Sequence, residues 1–327
     1  MTIERTTFPT KQFQWFGQSV HRVVGPLADL PGELPTFTRE RFTYQNALNE
    51  YLDMIVREPD GDDQRRVPVA TVSKRYQLIQ HSDAVTWLCG AFQKHKWDIT
   101  KIQGTVWLSE YGERMRVRVP LPINYVAVAV NDTISADVMV WNSVDKSRSF
   151  ELAIRWERLI CTNGMTIAVE DRLRKVHNAD WMAKTSPMEF LNSRLKASEA
   201  EMTTSLQKLM GIKLASDTVL AWIDVDVAGR WGKFRAARLL HILNTGADCA
   251  VGKATEVKKA SELEVSPGER VPGAPEKAAS VYDAYQALLW LAGKEKSVER
   301  QESLADEATT LATLLLPDSQ RRRAAAP

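Results

Sequence analysis

Residues 104–122 read GTVWLSEYGERMRVRVPLP, and this stretch decides the fold. An apolar run reaches the polar, glycine-containing segment Glu110-Tyr111-Gly112-Glu113, after which arginine alternates with Met115, Val117 and Val119. β-Branched and aromatic residues on both sides of such a turn predict a β-hairpin. A period of two places Arg114, Arg116 and Arg118 on one face and the three apolar residues on the other. A strand apolar on one face only belongs to an antiparallel sheet covered by helices on that face.

The flanking sequence extends this reading. Residues 135–160, SADVMVWNSVDKSRSFELAIRWERLI, predict a second hairpin that turns at 144–147. Residues 67–79 alternate as a strand, and residues 81–96 follow as a helix. Ser82 is its candidate N-cap, and Asp83 suits the positive helix end. Val85, Leu88, Cys89 and Phe92 make one buried stripe, so Cys89 is read as a core residue. Residues 44–56, YQNALNEYLDMIV, read as a short helix before a polar loop. Ser186 and Pro187 open a long helix over 186–210. Its stripe of Met188, Leu191, Leu195, Met202, Leu206, Leu209 and Met210 packs on the sheet or, alternatively, on a partner; Ser198 and Glu199 interrupt it. Further helices are expected over 216–227, 230–244, 281–293 and 300–317.

The expected class is α+β, an antiparallel sheet of about five strands with helices on one face, followed by a helical C-terminal part. The chain divides into an irregular segment 1–43, punctuated by Pro9, Pro26, Pro31 and Pro35, and an α+β core 44–215. A helical extension 216–250, a flexible linker or loop 251–280, and C-terminal helices with a basic tail 281–327 complete it.

Composition narrows the setting. Among 327 residues, 44% are hydrophobic and 26% charged, with a net charge of +2, which is ordinary for a globular protein and points to no partner by itself. Three scattered cysteines without a CxxC pair fit a reducing compartment. No basic region followed by an apolar run opens the chain, and stretches such as YVAVAV are too short to span a bilayer. A cytoplasmic protein with no membrane partner is expected.

Three guanidiniums on one strand face form a track suited to phosphates. Trp107 on the facing strand, and Trp141 beyond, would stack bases. Lys233 and Arg235 join this candidate set, because residues 227–247 carry four basic residues and no acid. The alternative is a strand kept soluble by charge. In ERLICTNGM, residues 157–165, Cys161 could be a nucleophile or could lie beneath a turn made by Asn163 and Gly164. The five histidines have no recognisable spacing to Cys161, which favours the turn. Asp224 and Asp226 could hold Mg²⁺, or form a surface pair at a helix end. DGDD at 60–63 lacks the spacing of a calcium loop. There is no P-loop, GxGxxG, GxSxG or HExxH, so no cofactor or metal is called for.

Taken in order, VSKRYQLIQHSDAV, WNSVDKSRSF, ERLICTNGM and VYDAYQALLWL resemble the phage/plasmid-like protein family, domain-of-unknown-function family nine-thirty-two. The resemblance covers residues 67–316 and rests on Tyr76, on Asn142, Ser143 and Asp145, and on Arg158, Cys161 and Asn163. Lys146 stands where glycine is usual, and Gln286-Ala287-Leu288-Leu289 replaces Asn-Ala-x-Thr. The resemblance implies a mobile-element protein of a bacterial host cytoplasm. Asn142, Ser143, Asp145, Arg158 and Asn163 are expected to form a polar network holding two hairpins in register. The element order also resembles phage single-strand annealing proteins. The expectation is a non-enzymatic, homo-oligomeric binder of single-stranded DNA that promotes annealing in recombination; a protein-binding scaffold or host-takeover factor and a metal-dependent nuclease are the alternatives.

Overall fold

The computed structural model describes residues 2–61, 63–122, 126–129, 132–158, 166–167, 172–177, 186–252 and 258–317. The chain forms two compact units. The first takes Met1–Asn124, Ser135–Arg155 and Val169–Ser198; the second takes Tyr125–Ile134, Trp156–Ala168 and Glu199–Pro327.

In chain order, the elements of the sheet-bearing part are β1 (Glu4–Phe8), β2 (Gln14–Trp15), β3 (Gln18–Pro26), β4 (Phe37–Tyr44), β5 (Ala47–Arg57), β6 (Val67–Ser73), α1 (His81–Lys94), β7 (Gln103–Ser109), β8 (Arg114–Pro120), β9 (Val126–Ala129), β10 (Asp132–Ser143), β11 (Phe150–Arg158), β12 (Thr166–Ile167) and β13 (Arg172–Lys175). The class is α+β as expected. The sheet is larger than the five strands expected: ten strands join, in the main order β1-β3-β7-β8-β10-β11, with β13 beside β11. Both predicted hairpins are present, β7–β8 around residues 110–113 and β10–β11 around 144–149.

Register divides the sheet into two unlike faces. Val106, Val117 and Val140 lie opposite one another across β7, β8 and β10, and all are fully buried. Helix α1 covers this apolar face: Trp87 meets Phe150 edge to face at 5.5 Å, and Val85, Leu88 and Phe92 are fully buried. Each such side chain contributes about 1.5–3 kcal/mol. Cys89 lies in this layer as expected, with its thiol on the Leu27 carbonyl. Ser82 is not the cap. The helix starts at His81 after Gln80, whose amide instead pairs with the backbone N–H and C=O of Phe37.

Two expectations fail for the same reason. Residues 44–56 form strand, not helix, and residues 1–43 are not irregular but carry β1 to β4. Leu48, Leu52 and Ile55 satisfy helical spacing, but Asp53, Ile55 and Arg57 share one buried strand face, and β5 gains ladder partners on both sides. The prolines do interrupt, but at strand ends and in the turn Leu30–Glu33 between strands. Strands β4, β5 and β6 make a separate sheet whose Phe37, Ile55 and Val72 pack with Tyr76 and Val144 of the β10–β11 turn.

The remaining elements are α2 (Pro187–Gly211), α3 (Ser216–Trp222), a π turn (Ile223–Val227), α4 (Ala228–Trp231), α5 (Lys233–Thr245), β14 (Ala247–Val251), β15 (Val265–Arg270), α6 (Val281–Gly293) and α7 (Val298–Thr313). Ser186 Oγ accepts from the Glu189 N–H, as the predicted cap of α2. Leu191, Met202 and Leu206 on its apolar stripe are buried. The predicted later helices form. The 216–250 extension is not wholly helical, because it ends in β14. Residues 258–280 are not an open linker either: β15 pairs with β14, and the Ser261 N–H and hydroxyl donate to the Asp224 carboxylate at 2.9 and 2.7 Å. Backbone pairing holds β15, so its sequence shows little apolar signal. Among the described residues no helix is long and apolar enough to cross a membrane.

The β7–β8 turn depends on Gly112. Its φ is +72°, and a Cβ there would stand 2.5 Å from Cγ of Pro35. Gly112→Ala is expected to cost about 1–3 kcal/mol, read as a lower urea midpoint with unchanged slope. An unshifted midpoint would mean that the turn relaxes without cost.

Candidate functional site

The arginine strand has the expected alternation but not the expected exposure. Arg116 lies opposite Trp107 and Trp141, Arg118 opposite Met139, and Arg114 opposite Ser143. Arg116 is only 8% exposed, and its guanidinium lies 4.4 Å from the Trp107 ring centre. Arg118 donates to Asp137 at 2.5 Å. Arg114 donates to Asp145 at 2.7 Å and to Ser147 Oγ at 3.2 Å, and stacks on Phe16. Trp141 is fully buried, with the guanidiniums of Arg148 and Arg155 at 4.6 and 4.9 Å from its ring. The expected phosphate track is therefore a lattice of ion pairs and cation–π contacts. Burial raises the Asp137 carboxyl above its usual range despite Arg118. The opposing charges come from β10 and the β10–β11 turn, which residues 114–118 cannot reveal.

The other candidates lie elsewhere. Lys233 and Arg235 belong to the second unit, and Arg235 donates to Glu295 at 2.6 Å. Asp224 and Asp226 sit in the π turn, where Asp224 holds the segment at Ser261. Among the described residues no group of three or more His, Cys, Asp or Glu is placed to hold a metal. Cys161, Asn163 and the Arg321–Arg323 tail lie outside the described residues, as does the side chain of Arg158.

The turn network is real for three of its five members. Ser143 Oγ donates to the Arg148 carbonyl at 2.7 Å and accepts from its N–H at 3.0 Å. Asp145 accepts from the Ser147 N–H and from Arg114. Lys146 takes φ +65°, a left-handed conformation at the position where the resemblance leads one to expect glycine. Asn142 has a larger role. Its Nδ2 donates to the Ile79 carbonyl at 3.0 Å and to Nδ1 of His81 at 2.9 Å, while its Oδ1 accepts from Nε2 of His177 at 2.9 Å. His81 Nε2 donates to the Gly112 carbonyl at 2.7 Å. Tyr76 donates to the Ser143 carbonyl at 3.1 Å, and its ring lies 5.3 Å from that of His177. The two histidines were not legible in the sequence, since each lies far from Asn142 along the chain and neither sits in a motif.

Over one end of this chain opens a pocket of about 300 Å³. Tyr76 and His177 line it together with Arg75, Lys146, Arg148, Ser73, Ser149 and Val176, and among the described residues no carboxylate does. Arg148 is shared with Glu151 at 2.9 Å. Arg75 and Lys146 are exposed and, among the described residues, neither meets a carboxylate. A second pocket of about 410 Å³ is charge-balanced by contrast: Arg5 pairs with Glu33 at 2.6 Å, and Asp63 takes both Arg57 and Arg65.

An α+β protein with a cationic pocket over a buried histidine–asparagine chain is thus defined by its geometry. The family model described as Domain of unknown function (DUF932) matches residues 68–248, more than half of the chain, and the chain belongs to this family. The match contains Arg75, His81, Asn142, Lys146 and His177. No curated protein and no solved structure matches it.

Burial lowers the pKa of both His81 and His177 to about 4, so both rings are neutral at pH 7. In the unfolded chain they titrate near 6.5. Above that pH neither state binds a proton and stability is unaffected. As pH falls below about 6.5, only the unfolded chain gains protons. Stability is therefore expected to drop by about 2 kcal/mol per histidine by pH 5, before most carboxylates titrate. A urea midpoint that stays constant from pH 7 to pH 5 would contradict buried neutral rings.

Proposed function

We propose that this protein binds single-stranded nucleic acid and that the cationic pocket seats a phosphate of the strand. The observation that carries the reading is a concave site with two cations that meet no carboxylate and, among the described residues, no carboxylate in its wall. Phosphate binding needs that charge imbalance, and the paired arginines of β8 do not provide it. Exposed aromatics stand nearby on the chain path. Tyr51 is 78% exposed, and its carbonyl accepts from the Lys74 N–H beside the pocket residues Ser73 and Arg75. Tyr44, at the end of the same hairpin, is 68% exposed. Cations beside exposed rings are the pair of features with which strand binders hold backbone and base.

The expected setting goes with this reading: an oligomeric protein of a phage or plasmid in the cytoplasm of a bacterial host, acting by strand annealing rather than by catalysis. The phosphate contacts move from Arg114, Arg116 and Arg118 to Arg75 and Lys146, and the stacking partners from Trp107 and Trp141 to Tyr51 and Tyr44.

Binding to a labelled single strand over a salt series tests it. The double variant Arg75→Glu/Lys146→Glu is expected to lose at least about tenfold in affinity, and its log–log salt slope to flatten by about 1.4, which is two phosphate contacts. Unchanged affinity would remove the pocket from the reading, and absence of binding at low salt would remove nucleic acid altogether.

A further inference from the structure

The pocket wall contains one group that phosphate does not use. The polarity of the buried chain can be worked out from its two carbonyl ends. A carbonyl only accepts, so the Ile79 carbonyl requires the NH₂ side of Asn142. The Asn142 oxygen must then face His177, and the contact at 2.9 Å is a hydrogen bond only if Nε2 of His177 carries the proton. The Gly112 carbonyl imposes the same form on His81, which accepts from Asn142 through Nδ1. The two ends agree, and each ring has one possible neutral tautomer.

His177 is therefore held with Nδ1 as a bare acceptor, and among the described residues no donor is bonded to it. The ring lines a pocket whose other polar side chains include Arg75, Lys146 and Arg148, which only donate. A phosphodiester has no proton to give such a nitrogen. A ligand that satisfies the whole wall needs anionic oxygens for the cations and, a few ångströms away, an O–H for the imidazole. In a nucleic acid strand the ribose 2′-hydroxyl beside its 3′-phosphate is that combination, and deoxyribose lacks it.

We propose that the pocket takes a ribonucleotide unit, with Nδ1 of His177 accepting the 2′-hydroxyl proton, so that the strand bound is RNA rather than the DNA expected from sequence. The inference rests on the nucleic-acid reading above and narrows it to one polymer. The lowered pKa of His177 supports it, because the ring stays an acceptor at neutral pH beside the cations.

The test uses the full chain and one short sequence synthesised as RNA, as DNA and as 2′-O-methyl RNA, with affinity measured at fixed low salt. RNA is expected to bind about tenfold more tightly than either of the others. The 2′-O-methyl strand is the sharper control, since it keeps the ribose shape and the 2′ oxygen but not the proton. His177→Phe is expected to abolish the preference for RNA over DNA and over 2′-O-methyl RNA. Equal binding of RNA and DNA overturns the inference and leaves strand binding intact. A 2′-O-methyl strand bound as tightly as RNA also overturns it, because sugar shape and not the hydroxyl proton would then be read. The unaltered protein supplies both answers even if the variant does not fold, and failure of all three strands to bind removes the underlying reading as well.

Discussion

The buried Asn142 amide is the point on which the first unit depends. It lies on the apolar face of β10, where an unpaired amide group would cost about 1–3 kcal/mol. Each of its partners fixes a different part of the chain: Ile79 and His81 bring the start of α1 onto the sheet, and His177 anchors the residues after β13. Through His81 the constraint reaches Gly112 in the β7–β8 turn. The apolar layer around it is non-directional and would tolerate small shifts of α1, whereas the amide chain has one arrangement in which every donor meets an acceptor.

The two faces of the sheet use charge in opposite ways. On the arginine face, Asp137, Asp145 and Glu151 meet Arg118, Arg114 and Arg148, and tryptophan rings take up guanidiniums between them. Such a face can be buried because its charges are matched within the fold. At the pocket the matching stops: Arg75 and Lys146 lie on turns, at the surface, and among the described residues neither pairs with a carboxylate, the neighbouring Asp145 being taken by Arg114. Water carries those charges at little cost, so a ligand anion can replace it. The two sets of cations differ in their neighbours.

Local pattern was a sound guide wherever one face of an element is buried. Both central hairpins, α1 with its stripe, the cap at Ser186 and the C-terminal helices followed from periodicity and turn chemistry. It failed where strands are stabilised mainly by pairing. Strand β5 carries spacing that suits a helix as well, and β15 is polar along most of its length. Strands β1 to β4 lie among prolines that mark their ends. In each case a ladder partner distant in the chain outweighs the local preference.

The sequence by itself determined the α+β class, the alternation of Arg114, Arg116 and Arg118 against Met115, Val117 and Val119, and the turn roles of Ser143 and Asp145, because all of these depend on residues within a few positions of one another. The tertiary structure alone decided that those arginines are matched and mostly covered, that His81 and His177 converge on Asn142, and that Arg75 and Lys146 share a pocket. The charge partners of the arginines lie 19 and 31 residues away, and the histidine, asparagine and pocket pairings join positions 35 to 71 apart. Which distant acid neutralises which base, and which lone pair stays open, is set only when the strands close into a sheet.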